Sequence, residues 1–158
     1  MALGTFRAER FRCLSAVELE LDPRTNLFIG PNASGKTSLL EAAFFLSRGR
    51  SFRSRRRDAL IARGANDFML SAQALGSVAP VPLGVRATRG DTEWRVGGAP
   101  AAGIADLAEQ FPAQVIDPDV HKLLEEGPGR RRRFLDWGVF HVEHSFLPTW
   151  PLRMTCRS

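Results

Sequence analysis

The stretch that decides the fold is Gly30-Pro31-Asn32-Ala33-Ser34-Gly35-Lys36-Thr37, which matches G-x-x-x-x-G-K-[ST] at every fixed position. Its two glycines allow the backbone to turn several N–H groups toward one anion. The lysine supplies a compact positive charge for the β- and γ-phosphates, and the hydroxyl of Thr37 can coordinate Mg²⁺. We therefore expect all eight residues to bind the phosphates of a purine nucleotide, ATP with Mg²⁺, with Thr37 as the metal ligand.

The residues on either side of this loop are typical of a strand and a helix. In Asn26-Leu27-Phe28-Ile29 a polar residue is followed by a short apolar run, which predicts a strand buried on both faces. Residues 38–47 include seven apolar residues, and Glu41 is their only charge, which predicts a helix buried on most sides. The positive N-terminal end of that helix would face the phosphates. A strand, a glycine-rich loop and a helix in this order predict an α/β fold of the P-loop class.

Further strands and short helices are predicted outside this unit. Residues 3–21 are expected to form a hairpin that turns near residues 12–15, because Val17, Leu19 and Leu21 alternate with glutamates. Turn residues and alternation predict strands at 68–75, 81–88, 92–96 and 114–116. Helices are expected at 104–111, at 118–124 with Asp117 as the N-cap, and from about 128 to 139.

Composition places the chain among ordinary globular proteins. Its 158 residues suffice for one domain with a core, and no apolar run reaches the length of a membrane span. The first residues do not resemble a signal peptide, and only two cysteines occur, so a cytoplasmic location is expected. A net charge of +5 favours a polyanionic partner. Because only two of the 22 basic residues are lysines, codon bias explains the arginine excess as well.

Arginines are concentrated in two runs. Six of them follow the phosphate-loop helix: Arg48, Arg50, Arg53, Arg55, Arg56 and Arg57. Glycine and serine interleave with them, which predicts a loop that contacts DNA through Arg50, Arg53, Arg55 and Arg56; a merely solvated loop is the alternative. The second run, 130–133, is expected to form structural ion pairs, for example with Asp136. Beside it, Phe134, Leu135 and Trp137 have helical spacing and should bury one face.

Other polar residues carry no comparable pattern. Arg10 and Arg12, near the hairpin turn, are interpreted as surface charge, with an approach to the nucleotide as the alternative. His141 and His144 lack the spacing of a zinc helix, and no nucleophile–base–acid arrangement occurs, so no catalytic residue is assigned.

Several segments together resemble the N-terminal portion of the bacterial RecF family, between about residue 3 and Trp150. These segments are Phe11-Arg12-Cys13-Leu14, the phosphate loop with Leu40-Glu41-Ala42, Gly49-Arg50-Ser51-Phe52-Arg53, Gln114-Val115-Ile116-Asp117-Pro118, Gly127-Pro128 and Arg131-Arg132-Arg133-Phe134-Leu135-Asp136-Trp137. Cys13 stands where the family has asparagine. The phosphate loop is shared with many ATPases, whereas the arginine segments are specific to this family.

The resemblance implies an ATPase head of the ABC and chromosome-maintenance type, with residues 1–112 in the head and 113–158 at its end and in the start of a helical arm. In that family, two heads close on two ATP molecules and bind gapped or single-stranded DNA. They work with RecO and RecR in recombinational repair and replication and help to load RecA.

Two motifs of the family are missing from this sequence: the Leu-Ser-x-Gly-Gln-type signature and the paired aspartates. The final eight residues depart from the expected helix, as after a frameshift or truncation. We therefore expect little or no ATP hydrolysis by this polypeptide alone. Two alternatives remain: a small P-loop kinase with the arginine-rich segment as its lid, and a non-functional fragment that binds DNA without hydrolysis.

Overall fold

A computed structural model of the chain describes residues 2–76, 79–116 and 128–142. The chain divides into two compact units, Met1–Val115 and Ile116–Ser158.

The first unit contains a six-stranded antiparallel sheet. Its strands are β1 (Ala2–Phe11), β2 (Leu14–Glu20), β3 (Asp67–Leu75), β4 (Val81–Thr88), β5 (Thr92–Val96) and β6 (Ala99–Pro100). They lie side by side in the order β2-β1-β3-β4-β5-β6. The predicted hairpin of residues 3–21 and the predicted strands at 68–75, 81–88 and 92–96 are confirmed, because each turn signal falls at a strand end.

One face of this sheet is apolar and the other is polar. In β3, Phe68, Leu70, Ala72 and Ala74 are buried and alternate with exposed Met69, Ser71 and Gln73, as the two-residue period of a strand requires. The β4 residues Leu83, Val85 and Ala87 continue the buried face, since β3 and β4 pair in register from Asp67 opposite Thr88 to Ala74 opposite Val81. β1 shifts register between Leu3 and Phe6 and so keeps its large side chains on that face.

Helix α1 (Lys36–Arg48) covers the apolar face, and α2 (Ile104–Gln110) packs beside it. Phe45 of α1 meets Phe68 edge to face, with ring centroids 5.2 Å apart, and stacks on Trp94 at 6.0 Å. The helix ends at Gly49, whose φ of 63° is left-handed. The conformation therefore favours glycine, and a Cβ there, 3.1 Å from Ile104 and 3.3 Å from Trp94, would also require these side chains to shift. The predictions of helices after the phosphate loop and at 104–111 are confirmed.

Two predicted strands are wrong. Residues 26–29 form no strand, and Leu27 is 79% and Ile29 is 84% exposed. Residues 114–116 also form no strand, and Ile116 is 85% exposed. A buried strand needs hydrogen-bonded neighbours, and within the described residues each of the six strands pairs with another strand of the sheet and none pairs with either segment. The apolar residues predicted burial, but a sequence pattern does not show which strand would pair with them.

In the second unit, the structure describes helix α3 (Pro128–Val142), which confirms the predicted helix beginning near residue 128. The expectation that Phe134 and Leu135 are buried is wrong, since they are 45% and 62% exposed. Helical spacing places apolar residues on one face, but burial needs a second surface against it. The helix predicted at 118–124 lies outside the described residues. Among the described helices, none is long and apolar enough to cross a membrane.

Candidate nucleotide and nucleic-acid site

The phosphate loop, residues 30–37, contains two residues in the left-handed conformation that anion-binding loops use. Ala33 has a φ of 65° and Gly35 a φ of 94°, both in the left-handed region. A Cβ on Gly30 would lie 2.9 Å from the Ser34 hydroxyl oxygen, and one on Gly35 would lie 3.0 Å from the Leu14 side chain. The left-handed backbone therefore favours glycine at position 35, and a side chain at position 30 would require the Ser34 side chain to shift. A loop with left-handed residues at these points turns successive N–H groups toward one concavity.

The first two residues of α1, Lys36 and Thr37, point their functional groups toward the loop or solvent. The Lys36 ammonium donates to the carbonyls of Gly30 at 2.8 Å and Pro31 at 2.7 Å, so it lies over the mouth of the loop. Thr37 is exposed, so its hydroxyl is accessible to a cation. The helix N-cap is Gly35, and no side chain caps the first turn. Its free N–H groups and positive dipole end therefore suit a phosphate group, and the residues present fit MgATP.

The hairpin turn between β1 and β2 lies against this loop. The Cys13 thiol donates to the buried Ser38 hydroxyl at a distance of 3.4 Å. Arg12 has a left-handed φ of 55°, an uncommon conformation for a side-chain-bearing residue. Its guanidinium donates to both carboxylate oxygens of Glu41, from Nε at 3.0 Å and from Nη2 at 2.7 Å. The interpretation of Arg12 as surface charge is wrong, because its side chain is only 21% exposed and paired with a buried carboxylate.

Arg10 is likewise held by a carboxylate. Its Nε donates to Asp67 at 2.9 Å, and Arg86 donates to the other oxygen of the same group at 2.7 Å. Hydrogen bonds from Arg86 and then Arg10 hold the pKa of Asp67 below its usual range, against the opposing effect of burial. Arg10 therefore belongs to a surface ion-pair cluster, with its φ of 53° also in the left-handed region.

Residues 50–57, called here the arginine loop, follow α1 without regular secondary structure. Of the predicted DNA contacts, Arg53 lies 3.6 Å from Glu41 and Arg56 pairs with Asp58 at 2.6 Å. Arg50 and Arg55 are exposed, as are the side chains of Arg53, Arg56 and Arg57. Within the described part of the chain, Arg55 and Arg57 form no ion pair. The structure therefore divides the cluster into arginines with internal partners and arginines directed only to solvent.

Arg48, at the end of α1, differs from the rest of this cluster. Burial, and secondarily the charge of Arg50, lowers its pKa to about 10. Its guanidinium lies over the Phe44 ring, 5.8 Å from the centroid, where the ring face attracts a cation.

Reasoning from the sequence missed the contribution of Glu41 and Ser51. The signal for Glu41 was present, since it is the only charged residue in residues 38–47 and is fully buried. A charge alone in an apolar helix indicates a partner from elsewhere in the fold. Which residue supplies that partner depends on the hairpin turn and could not be read from spacing.

Comparison with known proteins first defines the class. The family model of the AAA ATPase domain matches residues 1–78. The head domain of an SMC protein from Thermotoga maritima superposes with a TM-score of 0.57 at 15% identity, covering 70% of this chain and 42% of that one, and shows the fold alone. Fold and phosphate loop together define the N-terminal part of a P-loop NTPase head of the ABC and chromosome-maintenance type.

The particular family follows from longer matches. The DNA replication and repair protein RecF of Cellvibrio japonicus is 43% identical over 158 residues, covering 99% of this chain and 43% of that protein. A structure of the recombination mediator protein RecF with ATP, in the RecFOR pathway, superposes with a TM-score of 0.82 at 26% identity, covering 92% of this chain and 40% of that one. Along nearly its whole length the chain is similar to RecF proteins, and it spans about two fifths of the length of the relatives it matches.

Proposed function

We propose that this chain binds MgATP in residues 30–37. The observation that carries the proposal is the conformation of the loop: left-handed Ala33 and Gly35, and the Lys36 ammonium over the loop mouth. The backbone N–H groups and Lys36 would hold the phosphates, and the Thr37 hydroxyl would be a ligand of Mg²⁺. The structure of a RecF protein with ATP, to which this chain is similar, supports ATP as the nucleotide.

The arginine loop is proposed to contact DNA, through Arg50, Arg53, Arg55 and Arg56. Its support is the exposure of these side chains on a segment that begins two residues after α1. Guanidinium groups on an irregular loop can follow a sugar-phosphate backbone and release its counterions. Arg57, exposed beside them, adds to the same positive field.

The wider role proposed is that of the RecF family: ATP-dependent binding of gapped or single-stranded DNA in recombinational repair and replication. Partners would be RecO- and RecR-like proteins, with help to RecA loading and an ATP-dependent homodimer in full-length members. Residues 1–112 would belong to the ATP-binding head, and 113–158 to its end and the start of a helical arm. These proposals rest on the match to RecF proteins, of which this chain spans two fifths.

Calorimetry of the purified chain tests the nucleotide proposal. MgATP should bind, and Lys36→Ala should weaken binding about a hundredfold, because charge-assisted hydrogen bonds to phosphate are lost. Arg89→Ala, an exposed cation beyond β4, should leave the affinity unchanged. A folded wild-type chain, verified by circular dichroism, that takes up no MgATP would contradict the proposal.

DNA binding is tested by the salt dependence of affinity for a single-stranded oligonucleotide. Replacing Arg53, Arg55 and Arg56 with alanine should reduce the slope of log affinity against log salt by about 2, at roughly 0.7 per lost phosphate contact. The control triple, Arg24, Arg89 and Arg95 to alanine, removes the same charge from exposed positions elsewhere. Equal slopes for the two triples would show that net charge, not the arginine loop, determines binding.

A further inference from the structure

Glu41 is a buried carboxylate in the middle of the nucleotide-binding helix. It lies five residues after Lys36 and has no solvent exposure. An isolated charge at such a position is costly, so it must be paired and hydrogen-bonded. The Arg12 guanidinium provides a two-bond pair, at 3.0 and 2.7 Å. This pair connects α1 to the hairpin turn.

Glu41 also holds the beginning of the arginine loop. The Ser51 hydroxyl donates a short hydrogen bond to Oε1 of Glu41. The same hydroxyl oxygen accepts the backbone N–H groups of Arg53 and Ser54, both at 2.8 Å. The first turn of the loop is therefore closed around a hydroxyl that is itself bound to the helix. Arg53 adds a longer contact of 3.6 Å to the other carboxylate oxygen.

The segment just after the arginine loop also contacts the ion pair, through Arg12. Arg12 Nη1 donates to the carbonyl of Ala59 at 2.8 Å, and the Arg12 backbone N–H donates to the carbonyl of Leu60 at 2.7 Å. Both flanks of the loop are thus fixed by one buried ion pair. Arg12 is held in its left-handed conformation by these contacts, as is typical of residues whose surroundings over-determine a strained backbone.

We propose that Glu41 is a positioning residue for the arginine loop, acting through Ser51 and Arg12. It fixes the loop to the helix whose first turn forms the phosphate loop, so that the arginines meet DNA in one prepared conformation. A loop that is already ordered loses less conformational entropy on binding. The inference rests on the proposed DNA contact of this loop and assigns Glu41 no contact with the nucleotide.

The Ser51→Ala substitution tests the connection without altering charge. Limited trypsin digestion, followed by mass spectrometry, would measure cleavage after the arginines of residues 50–57, with cleavage after Arg24 as the internal reference. Ser54→Ala is the matched control, because among the described residues the Ser54 hydroxyl bonds to the backbone of Arg56, within the loop itself, and not to Glu41. Ser51→Ala should raise the relative cleavage rate tenfold or more, and Ser54→Ala should raise it less than threefold. Glu41→Gln should resemble Ser51→Ala.

DNA affinity separates this proposal from the one on which it rests. Ser51→Ala should weaken binding of a single-stranded oligonucleotide by about tenfold at fixed salt, with the salt slope and the MgATP affinity unchanged. Loop cleavage no faster in Ser51→Ala than in Ser54→Ala overturns the positioning role. The positioning role is also overturned if Ser51→Ala binds DNA as tightly as wild type while the triple substitution of Arg53, Arg55 and Arg56 weakens binding. Should the triple bind DNA normally, the proposed DNA contact itself fails. If Glu41→Gln does not fold by circular dichroism, Ser51→Ala decides alone.

Discussion

The two ends of helix α1 are held in different ways. At its N-terminus, the phosphate loop is determined by backbone geometry, with left-handed Ala33 and Gly35 and a close approach of Gly30 to the Ser34 side chain. Beyond its C-terminus, the arginine loop is held by side chains that converge on Glu41. The first arrangement is local in sequence. The second joins residues up to 29 positions apart, from Arg12 to Glu41.

This difference determines what each loop tolerates. A loop defined mainly by its own backbone is most sensitive to substitution at its left-handed residues. A loop defined by one buried carboxylate fails when that carboxylate or its partner is removed, even if its own residues are intact. Substitutions at the two ends should therefore separate nucleotide binding from the order of the arginine loop.

The largest effect is expected from Glu41→Ala or Arg12→Ala. Removing one partner leaves the other as a poorly compensated charge in or near the core, and each change should lower the free energy of unfolding by about 3–5 kcal/mol. The double substitution should cost much less than the sum, because neither charge remains alone. Urea denaturation of the four proteins measures this coupling. Additive losses would mean that the pair does not hold the C-terminal side of α1.

A smaller effect is expected from Gly35→Ala, with Gly97→Ala as its matched control. Both glycines have left-handed φ angles, 94° and 62°, so each substitution should cost about 1–2 kcal/mol of stability. A Cβ on Gly97 would meet open space, whereas one on Gly35 would lie 3.0 Å from the Leu14 side chain. Only Gly35→Ala should weaken MgATP binding, by about tenfold or more, in calorimetry. Equal nucleotide affinities in the two variants would argue against a backbone-defined site.

The same contrast explains which features the sequence predicted. Strands such as 81–88 follow from alternation and turn residues, and the phosphate loop follows from eight contiguous positions, because both are encoded locally. The burial of residues 26–29 and of Phe134 was predicted wrongly, since burial depends on a surface supplied by other segments. Glu41 was noticed as the only charge of its helix, but its partners Arg12 and Ser51 are brought together only by the tertiary fold.

The smallest effect concerns the second strained arginine of the hairpin. Arg10, like Arg12, has a left-handed φ and a carboxylate partner, but Asp67 is 13% exposed where Glu41 is fully buried. If burial makes the Arg12–Glu41 ion pair strongly stabilising, the more exposed Arg10–Asp67 pair should contribute less to stability. Asp67→Asn should then lower the free energy of unfolding at pH 7 by only about 1 kcal/mol, the range of partly exposed ion pairs.

The pH dependence of this loss provides a second, independent check. The folded-state pKa of Asp67 lies below its unfolded value, because Arg86 and Arg10 stabilise the charged form. Its contribution is therefore complete above the unfolded pKa of about 3.9 and disappears as pH falls through the folded pKa. In urea denaturation, the difference in the free energy of unfolding between wild type and Asp67→Asn should persist from pH 7 to 5 and shrink below about pH 4. The control Glu20→Gln, at an exposed position of β2, should differ little from wild type at every pH. A loss at pH 7 as large as that of Glu41→Ala would mean that burial does not distinguish the two pairs, and that side-chain contacts hold the hairpin equally at both arginines.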